Sequence, residues 1–274
     1  MIISNKYKYI ICNIPKTGTI SLNETLNSFG VCDISRENKW QGLSYKSKRN
    51  LDHMTFKEVE DLFKINYDNV PNSDKKILKY PFEEYLKFII VRNPWDRYIS
   101  LLDRIKRSQL DDLLQLQNIS STRFYDLNLD FKSSEPGDII DQLEYVILQN
   151  KKQSSYYMDN FGGNYCKYIY GLESIQMLVD RLQEECKIKI KIKLSHLNKH
   201  EKLIDYTKYY TQYLIDLVKL KESDVIDLMG YKFNGDFYKL SDSRASGVND
   251  FNDPSNSWYD SNSAISNYKN ENNG

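Results

Sequence analysis

Residues 7–29 read YKYIICNIPKTGTISLNETLNSF, and two structural patterns follow one another directly in this stretch. The apolar run at residues 9–12, bounded by Pro15 and Gly18, predicts a short buried strand. From Thr19 onward the apolar residues recur at intervals of three and four, which is the period of a helix. The stretch therefore predicts a strand that leads through a short loop into the N-terminus of a helix.

A loop of this kind is suited to binding an anion. The first backbone N–H groups of a helix have no acceptor within that helix, and the helix dipole places partial positive charge beside them. Lys16 adds a full positive charge, and nearby side chains add hydroxyl groups. We predict a phosphate- or sulfate-binding loop formed by Lys16, Thr17, Gly18, Thr19, Ile20 and Ser21. The plainer alternative is an ordinary turn between a strand and a helix.

The loop differs from the common nucleoside-triphosphate loop, in which a glycine and four further residues precede Gly-Lys-Ser/Thr. Here Lys16 comes before Gly18, and there is no earlier glycine in the loop. The segment PKTGTISL at residues 15–22 instead resembles the 5′-phosphosulfate loop of sulfotransferases that use 3′-phosphoadenosine 5′-phosphosulfate (PAPS). The resemblance implies that PAPS is the sulfuryl donor and that Lys16 is a catalytic residue, which stabilises the leaving phosphate.

A second stretch, residues 85–107, reads YLKFIIVRNPWDRYISLLDRIKR. Its apolar run at residues 88–91 predicts a central parallel strand that is covered on both faces. Arg92 then lies at the carboxyl end of the strand, where open α/β sheets bind ligands. Arg92 and Ser100, eight residues later, resemble the 3′-phosphate motif of the same sulfotransferases. The resemblance implies that both bind the 3′-phosphate of PAPS; a structural ion pair is the plainer alternative for Arg92.

His53 lies between these two motifs, in a loop before a helix predicted at residues 56–63 with Asp52 or Thr55 as its cap. The pattern is most similar to the 2-O-sulfotransferases of heparan sulfate and chondroitin, in which this interval supplies a catalytic histidine. The resemblance implies that His53 removes the proton of the acceptor hydroxyl. Imidazole suits that task because it titrates near neutral pH. The plainer alternative is a histidine of the surface.

Three other residues compete for the role of base: His196, Glu83 and Glu84. The two glutamates precede the predicted strand, whereas Arg92 follows it. From Glu84 to Arg92 an extended chain covers roughly 26 Å. We therefore expect the glutamates to lie too far from a sulfuryl group that is held near Arg92, and His196 is the next candidate after His53.

Three further segments carry weaker expectations. Residues 194–199, LSHLNK, resemble a family loop near the nucleotide, which implies that Asn198 and Lys199 contact the donor. The strict alternation KIKIKIK at residues 187–193 predicts an exposed edge strand protected by lysines. A track for an acidic glycan is the alternative. Residues 108–136 are polar and predict an insertion that binds the acceptor or covers the site.

Composition narrows the class of protein. The 274 residues contain 38 basic and 38 acidic side chains, so no global charge favours nucleic acid or an anionic membrane as a partner. The four cysteines form no CxxC pair, and no apolar run reaches the length of a membrane span. We expect a soluble, cytoplasmic protein. Residues 241–274 are rich in Ser and Asn, and we expect a disordered tail there.

Together these patterns predict an α/β fold, with one sulfotransferase domain over residues 1–240. The resemblance implies three α/β/α layers around a central parallel sheet, as in nucleotide kinases. It also implies transfer of a sulfuryl group from PAPS to a hydroxyl of an acceptor, which we expect to be a carbohydrate, without a metal ion. Two alternatives stay open: a magnesium-dependent nucleotide kinase, and a non-catalytic protein that binds nucleotides or glycans.

Overall fold

The computed structural model describes residues 1–33, 53–64, 79–116, 136–194 and 206–234. Its strands are β1 (Ile2–Ser4), β2 (Tyr9–Cys12), β3 (Leu86–Val91) and β4 (Tyr168–Gly171). Its α-helices are α1 (Thr19–Ser28), α2 (Phe56–Lys64), α3 (Pro94–Leu116), α4 (Pro136–Gln149), α5 (Ile175–Glu185), α6 (Gln212–Lys221) and α7 (Ser223–Met229). Short 3₁₀ turns occupy Phe82–Glu84, Gln153–Tyr156, Leu172–Ser174 and Tyr206–Tyr209.

The four described strands form one mixed sheet in the order β1-β2-β3-β4. The three strands β2, β3 and β4 are parallel, with Ile11 opposite Phe88 and Phe88 opposite Tyr168. The predicted parallel sheet is thus correct for these three strands. The strand β1, which runs antiparallel to β2, was not predicted from the sequence. A strand of three residues is too short to show a period in the sequence.

Helices cover both faces of this sheet. Successive side chains of a strand point to opposite faces, so Ile10 and Ile89 belong to one buried cluster while Ile11 and Ile90 belong to another. The helices α1 and α5 contribute to the second cluster, and α3, α4, α6 and α7 contribute to the first. Burial on both faces explains why β3 is an unbroken apolar run instead of an alternating one.

The parallel strands end at one edge of the sheet, and this edge carries both sequence motifs. Each strand continues there toward a helix: β2 toward α1, β3 toward α3 and β4 toward α5. The loop of Lys16 and the residue Arg92 therefore meet at the carboxyl ends of neighbouring strands. This edge is where open α/β sheets bind their ligands.

Two expectations about the connecting segments are corrected. The helix α3 continues to Leu116, so residues 108–116 are helical and do not begin the polar insertion; residues 117–135 lie outside the described part. At 23 residues α3 is the longest helix described, yet none of the helices in the described ranges is both long and apolar enough to cross a membrane.

Residues 187–193 do not form the edge strand that their alternation predicts. The side chain of Gln183 in α5 instead bonds to the backbone of this segment, accepting from Ile192 N at 3.3 Å and donating to the Ile190 carbonyl. Ile188 and Ile192 are buried, whereas Ile190 is 49% exposed. The alternation therefore reflects packing against a helix. Side chains of that helix bind backbone groups of the segment that a neighbouring strand would otherwise bind.

The N-terminus of α2 is closed by a reciprocal pair of hydrogen bonds. Thr55 Oγ1 accepts from Glu58 N at 3.1 Å, and Glu58 Oε2 accepts from Thr55 N at 2.8 Å. Glu58 Oε1 also forms an ion pair with Lys151 Nζ at 3.0 Å. Burial raises the pKa of Glu58, but the hydrogen bonds from Thr55 and Lys151 outweigh it, so the pKa lies below its ordinary value. This cap fixes the start of α2, directly after His53.

Replacing Glu58 by glutamine should lower the free energy of unfolding by about 1 kcal/mol at neutral pH, because the cap loses its charge and one ion pair. A carboxyl group whose folded-state pKa is lowered stabilises the fold above its unfolded-state pKa. That stabilisation is lost as the pH falls through the folded-state pKa. Urea denaturation should therefore show a difference between Glu58→Gln and the wild type at pH 7 that disappears toward about pH 3.

The control is Glu83→Gln, which alters an exposed glutamate in the 3₁₀ turn Phe82–Glu84. A stability difference for Glu58→Gln that stays constant across this pH range would contradict the assignment of the charged cap.

Candidate active site

The loop between β2 and α1 is strained at a residue that is not glycine. Both Lys16, with φ of 70°, and Gly18, with φ of 76°, adopt the left-handed conformation. Between them Thr17 is buried, and its hydroxyl donates to the carbonyl of Ile14 at 2.9 Å. A left-handed residue with a side chain costs about 1–2 kcal/mol. Contacts from the rest of the protein must therefore hold Lys16 in place.

Gly18 is required here for a steric reason as well. A Cβ atom at Gly18 would lie 2.3 Å from Cδ1 of Leu172, which starts the 3₁₀ turn after β4. The loop therefore packs directly against the carboxyl end of β4. A tight turn closed by Gly18 is what the Pro-Lys-Thr-Gly pattern predicts, whereas the contact with Leu172 depends on the tertiary fold.

Arg92 follows β3 and holds the loop from one side. Its Nη1 donates to the Lys16 carbonyl at 2.8 Å, while Nε and Nη2 both contact Asp96 Oδ2 at 2.8 Å. The side chain of Arg92 is 18% exposed. The ion pair considered as the plainer interpretation of Arg92 is therefore present, and the same guanidinium also braces the strained residue of the loop.

The backbone of Arg92 is fixed by a buried glutamine. Gln153 Oε1 accepts from Arg92 N at 2.9 Å, and Gln153 Nε2 donates to the Arg92 carbonyl at 2.9 Å. Gln153 is completely buried in the turn Gln153–Tyr156. This pair of bonds replaces the ladder bonds that Arg92 gives up on leaving the strand.

Arg97 holds the loop from a second, fully buried position. Its Nε donates to the Pro15 carbonyl at 3.2 Å, and its Nη1 contacts Glu222 Oε1 at 3.2 Å. Two consecutive loop carbonyls, of Pro15 and Lys16, thus point toward arginines. In a trans peptide the N–H points opposite to the carbonyl, so the N–H groups of Lys16 and Thr17 face away from both guanidinium groups. The two arginines thus fix the direction of these backbone donors.

His53 lies beside the start of the same loop. Its Nδ1 is 3.3 Å from the carbonyl oxygen of Asn13, and Cys12 Sγ contacts the carbonyl of Met54 at 3.2 Å. A carbonyl can only accept, so Nδ1 carries the hydrogen and Nε2 is the basic nitrogen of the neutral ring. The structure thus brings His53 next to Asn13, at the carboxyl end of β2. Asn13 precedes Lys16 by three residues.

The other residues that are predicted to bind the donor differ in how far they are exposed to solvent. In α1, Thr19 is buried, Ser21 is half-buried and Ile20 is 43% exposed. Ser100 is a half-buried residue of α3. Asn198, Lys199 and the competing base His196 lie outside the described residues.

The competing glutamates lie at the opposite edge of the sheet. Glu83 and Glu84 belong to the turn before β3, and Glu84 pairs with Lys8, just before β2, at 2.7 Å. Both positions precede the parallel strands, whereas Lys16 and Arg92 follow them. The separation that strand length predicts is therefore present.

Sequence reasoning missed Arg97 and Glu222, which are 125 residues apart in the chain. Arg97 precedes Tyr98 near the start of α3, and Glu222 lies between α6 and α7. A charged residue in either place is usually exposed. A useful indication was present only for Arg97, which follows Arg92 by five residues within the second motif.

The structure thus has a loop between a strand and a helix, with bracing arginines, at the carboxyl edge of parallel strands. This is where α/β proteins commonly bind phosphate or sulfate groups. A family model described as "Sulfotransferase family" matches residues 1–134. The chain is therefore similar to the sulfotransferase family over residues 1–134, as its motifs predicted. The matched range contains the loop, His53 and Arg92, whereas Gln153 and Glu222 lie beyond it. No curated protein and no solved structure matches the chain.

Among the described residues, no group of three or more His, Cys, Asp or Glu side chains is placed to hold a metal ion. Lys16, Arg92 and Arg97 carry positive charge near the loop, and the two arginines are paired with Asp96 and Glu222. Burial and the neighbouring Glu222 carboxylate raise the pKa of Tyr98, so its hydroxyl stays protonated and donates to Glu222 Oε1 at 2.7 Å.

Replacing Gly18 by alanine should destabilise the protein more than the same change at Gly30. Both glycines have positive φ, of 76° and 64°, so each substitution costs about 1–2 kcal/mol from backbone strain. At Gly30 a Cβ would meet nothing within 4 Å, whereas at Gly18 it would overlap Leu172. The overlap adds about 1–3 kcal/mol, and urea denaturation measures the difference.

The double variant Gly18→Ala/Leu172→Ala separates the steric contribution from the backbone strain. Compared with Leu172→Ala alone, it should show only the loss seen for Gly30→Ala. Equal losses for the two single glycine variants would mean that Gly18 does not pack against Leu172.

Proposed function

We propose that this protein is a PAPS-dependent sulfotransferase that transfers a sulfuryl group to a hydroxyl of a carbohydrate. The observation that carries the proposal is the loop of Lys16, whose carbonyls are bound by Arg92 and Arg97 while His53 lies at its start. The match of residues 1–134 to the sulfotransferase family supports it. The helices on both faces of the sheet support the three-layer arrangement of nucleotide-kinase-like proteins for this fold.

In this proposal the 5′-phosphosulfate lies against the loop and the N-terminus of α1. Backbone N–H groups of residues 16–19 bind its oxygens. The ammonium group of Lys16 contacts the oxygen that bridges sulfur and phosphorus. As the bond between sulfur and that oxygen breaks, negative charge grows on the leaving phosphate, as it does in phosphoryl transfer. Fixed donors aimed at this charge lower the barrier because they bind the transition state more tightly than the donor itself.

Arg92 and Ser100 hold the 3′-phosphate in this proposal. A guanidinium group has five N–H donors, and the contacts described with Asp96 and Lys16 engage three of them. Asp96 fixes the plane of the guanidinium, so the other donors can meet an anion with little loss of rotational freedom. Asn198 and Lys199 would complete the nucleotide contacts.

His53 is the general base in this proposal. Its Nδ1–H is oriented by the Asn13 carbonyl, so Nε2 accepts the proton of the acceptor hydroxyl. The acceptor oxygen forms a bond to sulfur while the bond from sulfur to the 5′-phosphate oxygen breaks in line. The products are the sulfated acceptor and adenosine 3′,5′-bisphosphate, and the proton stays on His53 until solvent removes it. Charge on the donor is neutralised by Lys16 and Arg92.

Ligand-dependent melting tests the donor. Adenosine 3′,5′-bisphosphate should raise the melting temperature, since a ligand at 100 times its Kd stabilises the folded state by about 2.7 kcal/mol. Adenosine 5′-monophosphate, which lacks the 3′-phosphate, is the matched control and should stabilise less. Stabilisation by ATP with magnesium, without any by the bisphosphate, would identify a nucleotide kinase instead.

Replacing His53 by asparagine tests the base. The amide nitrogen of asparagine can still donate to the Asn13 carbonyl, but the side chain has no basic nitrogen. With labelled PAPS and a carbohydrate acceptor, turnover should fall about 10²–10⁴-fold, while the Kd for adenosine 3′,5′-bisphosphate stays unchanged. Glu84→Gln, at the other edge of the sheet, is the control and should keep normal turnover. Normal turnover in His53→Asn would remove His53 from the mechanism and favour His196.

A further inference from the structure

We propose that Glu222 is a positioning residue for sulfuryl transfer and acts through Arg97, although it lies outside the part of the chain that matches the family. The proposal rests on the proposed function, because it assigns a role within the same site. The proposed role of Glu222 is to fix the positions of the loop, of Arg92 and of the residues between His53 and the start of α2. Glu222 acts indirectly: it contacts Arg97 and Gln153, which in turn contact the loop and Arg92.

Glu222 and Arg97 form an ion pair that is almost completely removed from solvent. Their side chains are 0% and 1% exposed. Both carboxylate oxygens are engaged: Oε1 accepts from Arg97 Nη1 at 3.2 Å and from the Tyr98 hydroxyl at 2.7 Å, and Oε2 accepts from Gln153 N at 2.9 Å. The carboxylate therefore joins α3 to the turn Gln153–Tyr156 from the junction of α6 and α7.

The first connection runs from the pair to the donor loop. Arg97 Nε donates to the Pro15 carbonyl at 3.2 Å, next to the strained residue Lys16. The Glu222 carboxylate binds Nη1 of the same guanidinium group and so fixes the plane of that group. Lysine could not replace Arg97, because a single ammonium cannot direct separate donors to Pro15 and Glu222 in one plane.

A second connection runs to the segment of the proposed base. Arg97 Nη2 donates to the carbonyl of Lys151 at 3.4 Å, and Lys151 Nζ forms an ion pair with Glu58 Oε1 at 3.0 Å. Glu58 in turn caps α2, which starts three residues after His53. One buried guanidinium thus contacts both the loop and the residue that ties down the base segment.

The third connection runs to Arg92. The Glu222 carboxylate binds the backbone of Gln153, and the Gln153 side chain makes both hydrogen bonds to the backbone of Arg92. The three groups that the mechanism requires, namely Lys16, Arg92 and His53, are therefore all linked to the same carboxylate by described contacts.

Stability alone does not explain this pair. Desolvating two charges can cost more than their attraction returns, and replacing a buried ion pair by apolar residues of similar volume is often neutral or stabilising. What apolar residues cannot supply is a set of donors with fixed directions. We infer that the pair serves the geometry of the site, where a displacement of 1 Å can reduce turnover about 10²-fold.

The test is the double variant Arg97→Met/Glu222→Leu, which removes both charges and leaves neither one buried alone. It should melt within a few degrees of the wild type. In the ligand-free protein, the amide of Leu22, which donates to the loop carbonyl of Gly18 at 3.5 Å, reports on the loop. It should exchange hydrogen at least about tenfold faster, because the loop has lost its brace. With PAPS, turnover should fall about 10²-fold. The control is Lys219→Met/Asp216→Leu, which removes an exposed ion pair of α6 and should change neither quantity.

A folded double variant with normal loop exchange and normal turnover would overturn the proposal. If the double variant fails to fold, Tyr98→Phe decides, since it removes one hydrogen bond to Glu222 Oε1 without exposing a charge. It should speed loop exchange several-fold, and unchanged exchange would overturn the proposal. A wild type that neither binds adenosine 3′,5′-bisphosphate nor transfers sulfuryl groups would refute the proposed function instead, because loop exchange is measured without ligand.

Discussion

The buried ion pair between Arg97 and Glu222 is the interaction on which the site depends. A charged pair without solvent is stable only where hydrogen bonds satisfy its remaining polar atoms. Here those bonds go to the Pro15 carbonyl, the Tyr98 hydroxyl and the Gln153 amide. The requirement to satisfy the pair therefore also fixes the loop and the turn that flank the site. The geometry of the site thus depends on a few hydrogen bonds to one buried ion pair.

The proposed anion site depends on how the peptide units of the loop are oriented. Arg92 and Arg97 bind successive carbonyls, of Lys16 and Pro15, and so turn the following N–H groups in the opposite direction. The left-handed Lys16 is the cost of that orientation, and Gly18 allows the chain to continue into α1 against Leu172. Three basic residues thus lie in or beside the loop, although the chain as a whole has no net charge.

The main strands and helices could be predicted from the local pattern of apolar residues. Features that depend on contacts between residues distant in the chain could not. The strand, loop and helix at residues 7–29 could be predicted because the apolar period changes at Thr19, and Arg92 could be placed because an apolar run ends before it. The role of Glu222 could not be found, since it depends on a contact across 125 residues. The alternation at residues 187–193 was misassigned because Gln183 replaces a neighbouring strand.

The central claim is that backbone N–H groups of the loop bind the donor's anion. The most direct measurement is a titration of ¹⁵N-labelled protein with adenosine 3′,5′-bisphosphate, followed by the backbone amide resonances. The account predicts that the amides of Lys16, Thr17, Gly18 and Thr19 show the largest shifts and saturate with one common Kd. Saturable binding that leaves these four resonances unchanged would contradict it.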